Sequence, residues 1–215
     1  MHPQPRIAAG NASEASTALR DYLLPLDTQT PTSSLIGQAL LWLGLVVWGI
    51  HFIRCDWRDG DAAESFLHGV NLAFHEFGHL LLRPFGEWLT FLGGSLLQCL
   101  LPLIIVVVFL LRERQPFSAS VALWWAGQNL IDVAPYIGDA RAMSLPLVGE
   151  WHEEMIELRA LRHDWRNLLE PLGLLAWDHR LAALAHFLGS GVIMLSWAWG
   201  ACYLLASWRR QQEIP

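Results

Sequence analysis

Apolar residues run along this chain in blocks of near-membrane length, separated by short charged stretches. Residues 35–53, LIGQALLWLGLVVWGIHFI, hold no acid and no Arg, which matches the roughly 20 residues needed to cross a hydrocarbon core of about 30 Å. After the charged hinge 54–64, a second block covers 66–82. It is interrupted by Asn71 and by the group His75, Glu76 and His79, and Arg83 closes it. A third block, 88–111, is the most uniformly apolar and ends at Arg112 and Arg114; a fourth covers 118–137; a fifth covers 181–206, ahead of Arg209 and Arg210. The pattern predicts an all-α fold, a polytopic membrane bundle of about five transmembrane helices.

The rest of the chain divides around these blocks. Residues 1–34 are rich in Ala, Ser, Thr, Pro and Gln and lack an apolar period, which predicts a mobile extramembrane tail; no signal-peptide order is visible in them. Residues 35–139 hold the first four predicted spans. Residues 140–179 include GEWHEEMIELRALRHDWRNLL, where apolar residues at helical spacing alternate with mixed charges, so this segment is expected as amphipathic helix on the membrane face. The fifth span lies within 180–207, and 208–215 is a tail. Five crossings put the 140–179 segment on one side. The other side holds Arg54, Arg58, Arg112, Arg114, Arg209 and Arg210, and the excess of Arg there marks it, with the C-terminus, as cytoplasmic. The expected location is a bacterial cell membrane.

Composition agrees with this picture. Of 215 residues, 53% are hydrophobic and 16% charged, and 12 are Trp; indole rings favour the membrane–water boundary, and Trp57, Trp88, Trp177 and Trp208 stand where span ends are expected. A net charge of −6 without basic runs argues against a nucleic-acid partner. Cys55, Cys99 and Cys202 form no CxxC pair, so neither a thiolate metal site nor a disulfide framework is indicated.

The chemistry sits in HEFGH, residues 75–79. On a helix, residues four apart share a face, so His75 and His79 can offer two nitrogens to one cation, the ion expected being Zn2+. Glu76, beside the first His, is placed to take a proton from metal-bound water. Ionisable groups in hydrocarbon cost at least about 2.5–3.5 kcal/mol each on insertion scales, so they need a partner or a role. A catalytic zinc needs a third protein ligand. The expected one is Asp139, with Asp132 and His163 as alternatives. Asn129, Asp132, Tyr136 and Asp139 share one helical stripe, and Asp132 and Asp139 lie toward the same membrane side as HEFGH. Asp164, next to His163, reads as the N-cap of a following helix. His68 and Asn71 share the face of His75 and are read as structural polar groups or cavity lining. Gly93, Gly94 and Ser95 allow close helix approach, and Gln98 adds an intramembrane amide. His51, His152, His179 and His186 are read as packing or interface residues.

HEFGH in a predicted transmembrane helix, a glycine-containing next span and a later span with Asn129, Pro135 and Asp139 resemble the site-2 protease family of intramembrane zinc metalloproteases. The resemblance covers about residues 66–141. It implies hydrolysis of a peptide bond within or next to the bilayer, with His75, His79 and Asp139 or Asp132 holding zinc and Glu76 as general base. The substrate implied is a transmembrane or juxtamembrane polypeptide. Two alternatives stand beside it: a zinc hydrolase of lipid amides or esters, and a non-catalytic membrane protein with a structural metal site.

Overall fold

The computed structural model describes residues 23–24, 30–146 and 156–213. Most of the predicted N-terminal tail and part of the 140–179 segment lie outside the described residues. Among the described residues the chain is all helix and turn, with no strand.

Each predicted apolar block is a helix. The first, α1, is Thr32–Arg54. The second, α2, is Phe66–Leu82, started by Ser65, whose hydroxyl oxygen accepts the Leu67 N–H at 3.1 Å and so satisfies one of the free donors of the first turn. A 3-10 turn, Arg83–Phe85, follows with Pro84 inside it. The reversal is completed by Gly86 at φ 105°, a conformation that L side chains rarely adopt. Helix α3 is Glu87–Leu111; α4 is Pro116–Gly138, opened by a proline that needs no N–H partner there and running on through Pro135. Two short helices, α5 (Ile156–Arg162) and α6 (Asp164–Leu169), lead to the long α7, Asp178–Gln212.

The centre of the bundle is α4. Most of its residues are buried, and its most extensive packing is against α7. The two backbones touch: a Cβ on Gly127 would lie 2.7 Å from the Gly189 carbonyl oxygen, and one on Gly189 would lie 2.6 Å from that of Gly127. Phe52, Trp124, Ile131 and Ile193 fill one end of this core, and Trp57, Val133, Ala134, Ile137 and Ala182 the other. Trp57 is therefore a core residue, not a boundary anchor: its ring fills the space over Gly138 and meets His179 edge-on at 5.2 Å. Trp88, Trp177 and Trp208 are exposed.

Among the described residues three helical segments are long and apolar enough to cross a membrane: α1, α3, and Leu175–Gln212, which contains α7. The other two apolar blocks, α2 and α4, differ for physical reasons. Helix α2 has 17 residues, about 26 Å at 1.5 Å per residue, and carries the His-Glu-His group. Helix α4 is enclosed by its neighbours, so it can carry Gln128, Asn129 and Asp132 without presenting them to lipid.

Candidate metal centre

Helices α2 and α3 meet at Gly78 and Gly93, where a Cβ on either would run into the other's carbonyl. One residue on, Gly94 lies beneath the two imidazoles: a Cβ there would come within 2.5 Å of His75 Nε2 and 2.7 Å of His79 Cε1. The small residues of α3 thus serve both the helix contact and the space for the rings. Each imidazole is fixed through its other nitrogen. His79 Nδ1 lies 2.7 Å from the Thr90 carbonyl oxygen, which can only accept, so Nδ1 carries the hydrogen. His75 Nδ1 lies 3.0 Å from Gln98 Oε1, while Gln98 Nε2 donates to Asp132 Oδ2 at 2.9 Å. A carboxylate accepts, so the amide nitrogen belongs toward Asp132 and His75 Nδ1 must donate. Both rings therefore turn an Nε2 lone pair the same way.

The group they face is Asp164, whose Oδ2 is 2.9 Å from His75 Nε2 and 3.2 Å from His79 Nε2. Three acceptors this close repel one another unless a proton or a metal cation lies among them. A tetrahedral zinc with bonds of about 2.0–2.1 Å spaces its donors by about 3.3–3.4 Å; the two nitrogen–carboxylate separations are somewhat shorter than that, and all three donor atoms lie within 4.8 Å of one another. His75, His79 and Asp164 are the group of three among the described residues able to hold a metal. The donor set, two neutral imidazoles and one carboxylate, suits zinc and leaves a fourth position free. Burial pushes the Asp164 carboxyl up; with protons on the two Nε2 atoms in place of a cation, the hydrogen bonds and charge of His75 and His79 outweigh burial and hold it below the ordinary carboxylate range.

The expected third ligands are placed elsewhere. Asp139 accepts from Ser144 N at 2.8 Å, Ser144 Oγ at 2.7 Å and Leu145 N at 3.0 Å, and His163 Nε2 lies 3.4 Å away. It anchors the loop after α4, and with its oxygens committed there it is not part of the group of three. Burial raises its pKa, yet the bonds from His163, Ser144 and Leu145 together hold it below the ordinary value. Asp132 is committed to His68 Nδ1 at 3.1 Å, Asn71 Nδ2 at 3.0 Å and Gln98. His163 is the N-cap of α6, accepting the Arg166 N–H at 3.3 Å through Nδ1, and its ring lies 4.4 Å from that of Tyr136.

The cap assignment is thus reversed from expectation: His163 caps the helix, and Asp164, its first residue, has its carboxylate free to reach the imidazoles. Tyr136 Oη receives the Asp164 N–H at 3.0 Å, and Trp165 Nε1 donates to Ser95 Oγ at 3.1 Å, which ties α6 to α4 and α3. The sequence carried a signal for this, since only one of two adjacent polar residues can cap a helix. Asn129 donates to the Trp125 carbonyl and stays within α4.

The centre opens into a cavity of about 740 Å³, within the usual size of ligand sites. Glu76 lines it, together with His68 and Tyr136, and apolar walls come from Leu72, Phe91, Val133 and Leu161. No protein-family model matches the chain, and no curated protein or solved structure does either.

Proposed function

We propose that this chain is a membrane-embedded, zinc-dependent hydrolase, most simply a metalloprotease that cuts a peptide bond within or next to the bilayer. The observation that carries the reading is the convergence of His75 Nε2, His79 Nε2 and Asp164 Oδ2 in the wall of a cavity that Glu76 also lines. Three donors suit a catalytic zinc better than a structural one, because structural sites close all four positions with protein. In this reading α2 and α4 join α1, α3 and α7 as membrane-crossing helices, α4 enclosed by its neighbours and α2 turning Phe77, Leu80 and Leu81 outward to lipid, which makes five spans.

A bound zinc supplies Lewis acidity, which polarises a carbonyl and eases deprotonation of water. The chain's own groups do the rest. Asp164 and the two imidazoles hold the cation, Glu76 takes a proton from water and returns it to the leaving nitrogen, and the apolar walls exclude bulk water from the reacting bond. The cavity's volume and its mixed polar and apolar lining suit a short stretch of polypeptide.

The test uses purified protein in lipid nanodiscs, loaded with zinc and given a panel of membrane-spanning peptides, with products identified by mass spectrometry. Zinc-loaded wild type is expected to cleave at least one peptide, and Glu76→Gln to lose about 100-fold or more of that rate while keeping its zinc. Equal cleavage by both proteins would remove Glu76 from the chemistry, and release of fatty acid from the lipid in place of peptide cleavage would change the substrate class.

A further inference from the structure

Helices α2 and α4 share few close backbone approaches, and the gap between them is bridged by polar side chains. Asn71 Nδ2 donates to Gln128 Oε1 at 2.9 Å and to Asp132 Oδ2 at 3.0 Å, and Trp125 Nε1 donates to Asn71 Oδ1 at 2.9 Å. Asp132 also receives Gln98 and lies against His68. Asn71, Gln128, Asp132 and Gln98 are all buried. Such a network in a membrane bundle is costly unless each member is satisfied, and one branch of it leads straight to the metal centre.

We propose that Gln98 and Asp132 are positioning residues for the metal, acting in series on His75. The proposal rests on the zinc-site reading above and adds to it. Asp132 accepts from Gln98 Nε2 at 2.9 Å and thereby turns Gln98 Oε1 toward His75 Nδ1, 3.0 Å away. That bond keeps the hydrogen on Nδ1 and the lone pair on Nε2, where the cation is bound. Metal-binding imidazoles commonly give their second N–H to a carboxylate. Here the carboxylate lies one residue farther off, and the Gln98 amide carries its orientation across. A carboxylate fixes the amide's direction, because only the NH2 end can face it. If Asp132 became an amide, Gln98 could flip and offer NH2 to His75, which would favour the wrong tautomer. His79 has an independent partner in the Thr90 carbonyl, so the relay acts on one ligand only.

The experiment measures zinc affinity by competition with a chelator, in nanodiscs, for wild type, Gln98→Met, Asp132→Asn, the double variant and Gln98→Glu. Imidazole 15N spectra report the tautomer. Each single substitution is expected to weaken zinc binding about 10- to 100-fold. The double variant should bind no more weakly than Gln98→Met alone, since two residues acting in series do not add. Gln98→Glu should bind zinc about as tightly as wild type, because a carboxyl oxygen at position 98 still accepts from His75 Nδ1. The Asp132→Asn spectrum should gain an Nε2–H imidazole signal absent from wild type.

Zinc affinity within twofold of wild type in both single variants, or a double variant whose losses multiply, would overturn the relay and leave the metal site standing. If wild type itself takes up no zinc, the underlying reading fails instead. Gln98→Met leaves Asp132 its bonds with His68 and Asn71, so it keeps the question answerable if Asp132→Asn does not fold.

Discussion

The two sides of α4 are built on opposite principles. Toward α7 the helix presents Gly127, Ile131 and Ala134, and the backbones touch at Gly127 and Gly189. Toward α2 it presents Gln128, Asp132 and Tyr136, and the gap is filled by buried hydrogen bonds and a cavity. The first seam holds the bundle by contact between close-packed surfaces, which tolerates no added volume. The second holds groups at fixed distances and leaves room between them. The difference sets close packing on one face of the helix and the candidate metal centre with its cavity on the other.

Substitutions on each face sharpen that contrast, beginning with the most damaging. Gly127→Leu must push α7 away along its length, and a cost above about 3 kcal/mol is expected, seen as loss of monodisperse protein on extraction. Asn71→Leu leaves Gln128, Trp125 and Asp132 each short of a partner; about 2–3 kcal/mol is expected, read from unfolding in mixed micelles, with the α4–α7 seam intact. If Asn71→Leu proves as disruptive as Gly127→Leu, the division of labour is wrong.

A smaller effect is expected at Asp139, the anchor of the loop beyond α4. Asp139→Asn should cost about 1–2 kcal/mol at neutral pH. The folded carboxyl is held below its ordinary value, and the unfolded one titrates near 3.9, so its contribution is complete above that pH and fades as pH falls through the lower folded value. The stability gap between wild type and Asp139→Asn should therefore hold steady down to about pH 5 and narrow below about pH 4. A gap that widens on acidification would contradict the assignment. Smallest of all, Trp88→Phe removes a bond of 3.4 Å to the Leu168 carbonyl from a half-exposed ring; a shift of about 0.5 kcal/mol with unchanged zinc content is expected.

Much of the scaffold was legible in the sequence, because apolar block length is a strong signal. The five blocks are helices at nearly the expected bounds, and HEFGH alone marks His75 and His79, two of the three donors that converge. What the pattern could not supply was the burial of α4. Asp132 and Asp139 read as free acids on a stripe facing the site, whereas tertiary partners occupy both: Gln98, Asn71 and His68 for one, Ser144, Leu145 and His163 for the other. Asp164 is hidden in the sequence because an Asp before a helical run reads as a cap. Only the position of Arg166 N over His163 Nδ1 reveals that its neighbour has that task. Trp57 is obscured for a similar reason, since a Trp near a charged hinge resembles a boundary residue until Gly138 opens a place for it.

The most direct test of the central claim is the zinc content of purified protein after equal loading and dialysis, compared across wild type, Asp164→Ala and Asp139→Ala. The account predicts about one zinc per chain in wild type and in Asp139→Ala, and loss of stable zinc in Asp164→Ala, as expected when one of three protein ligands is removed. Full zinc in Asp164→Ala together with loss in Asp139→Ala would contradict it and return the third ligand to the end of α4.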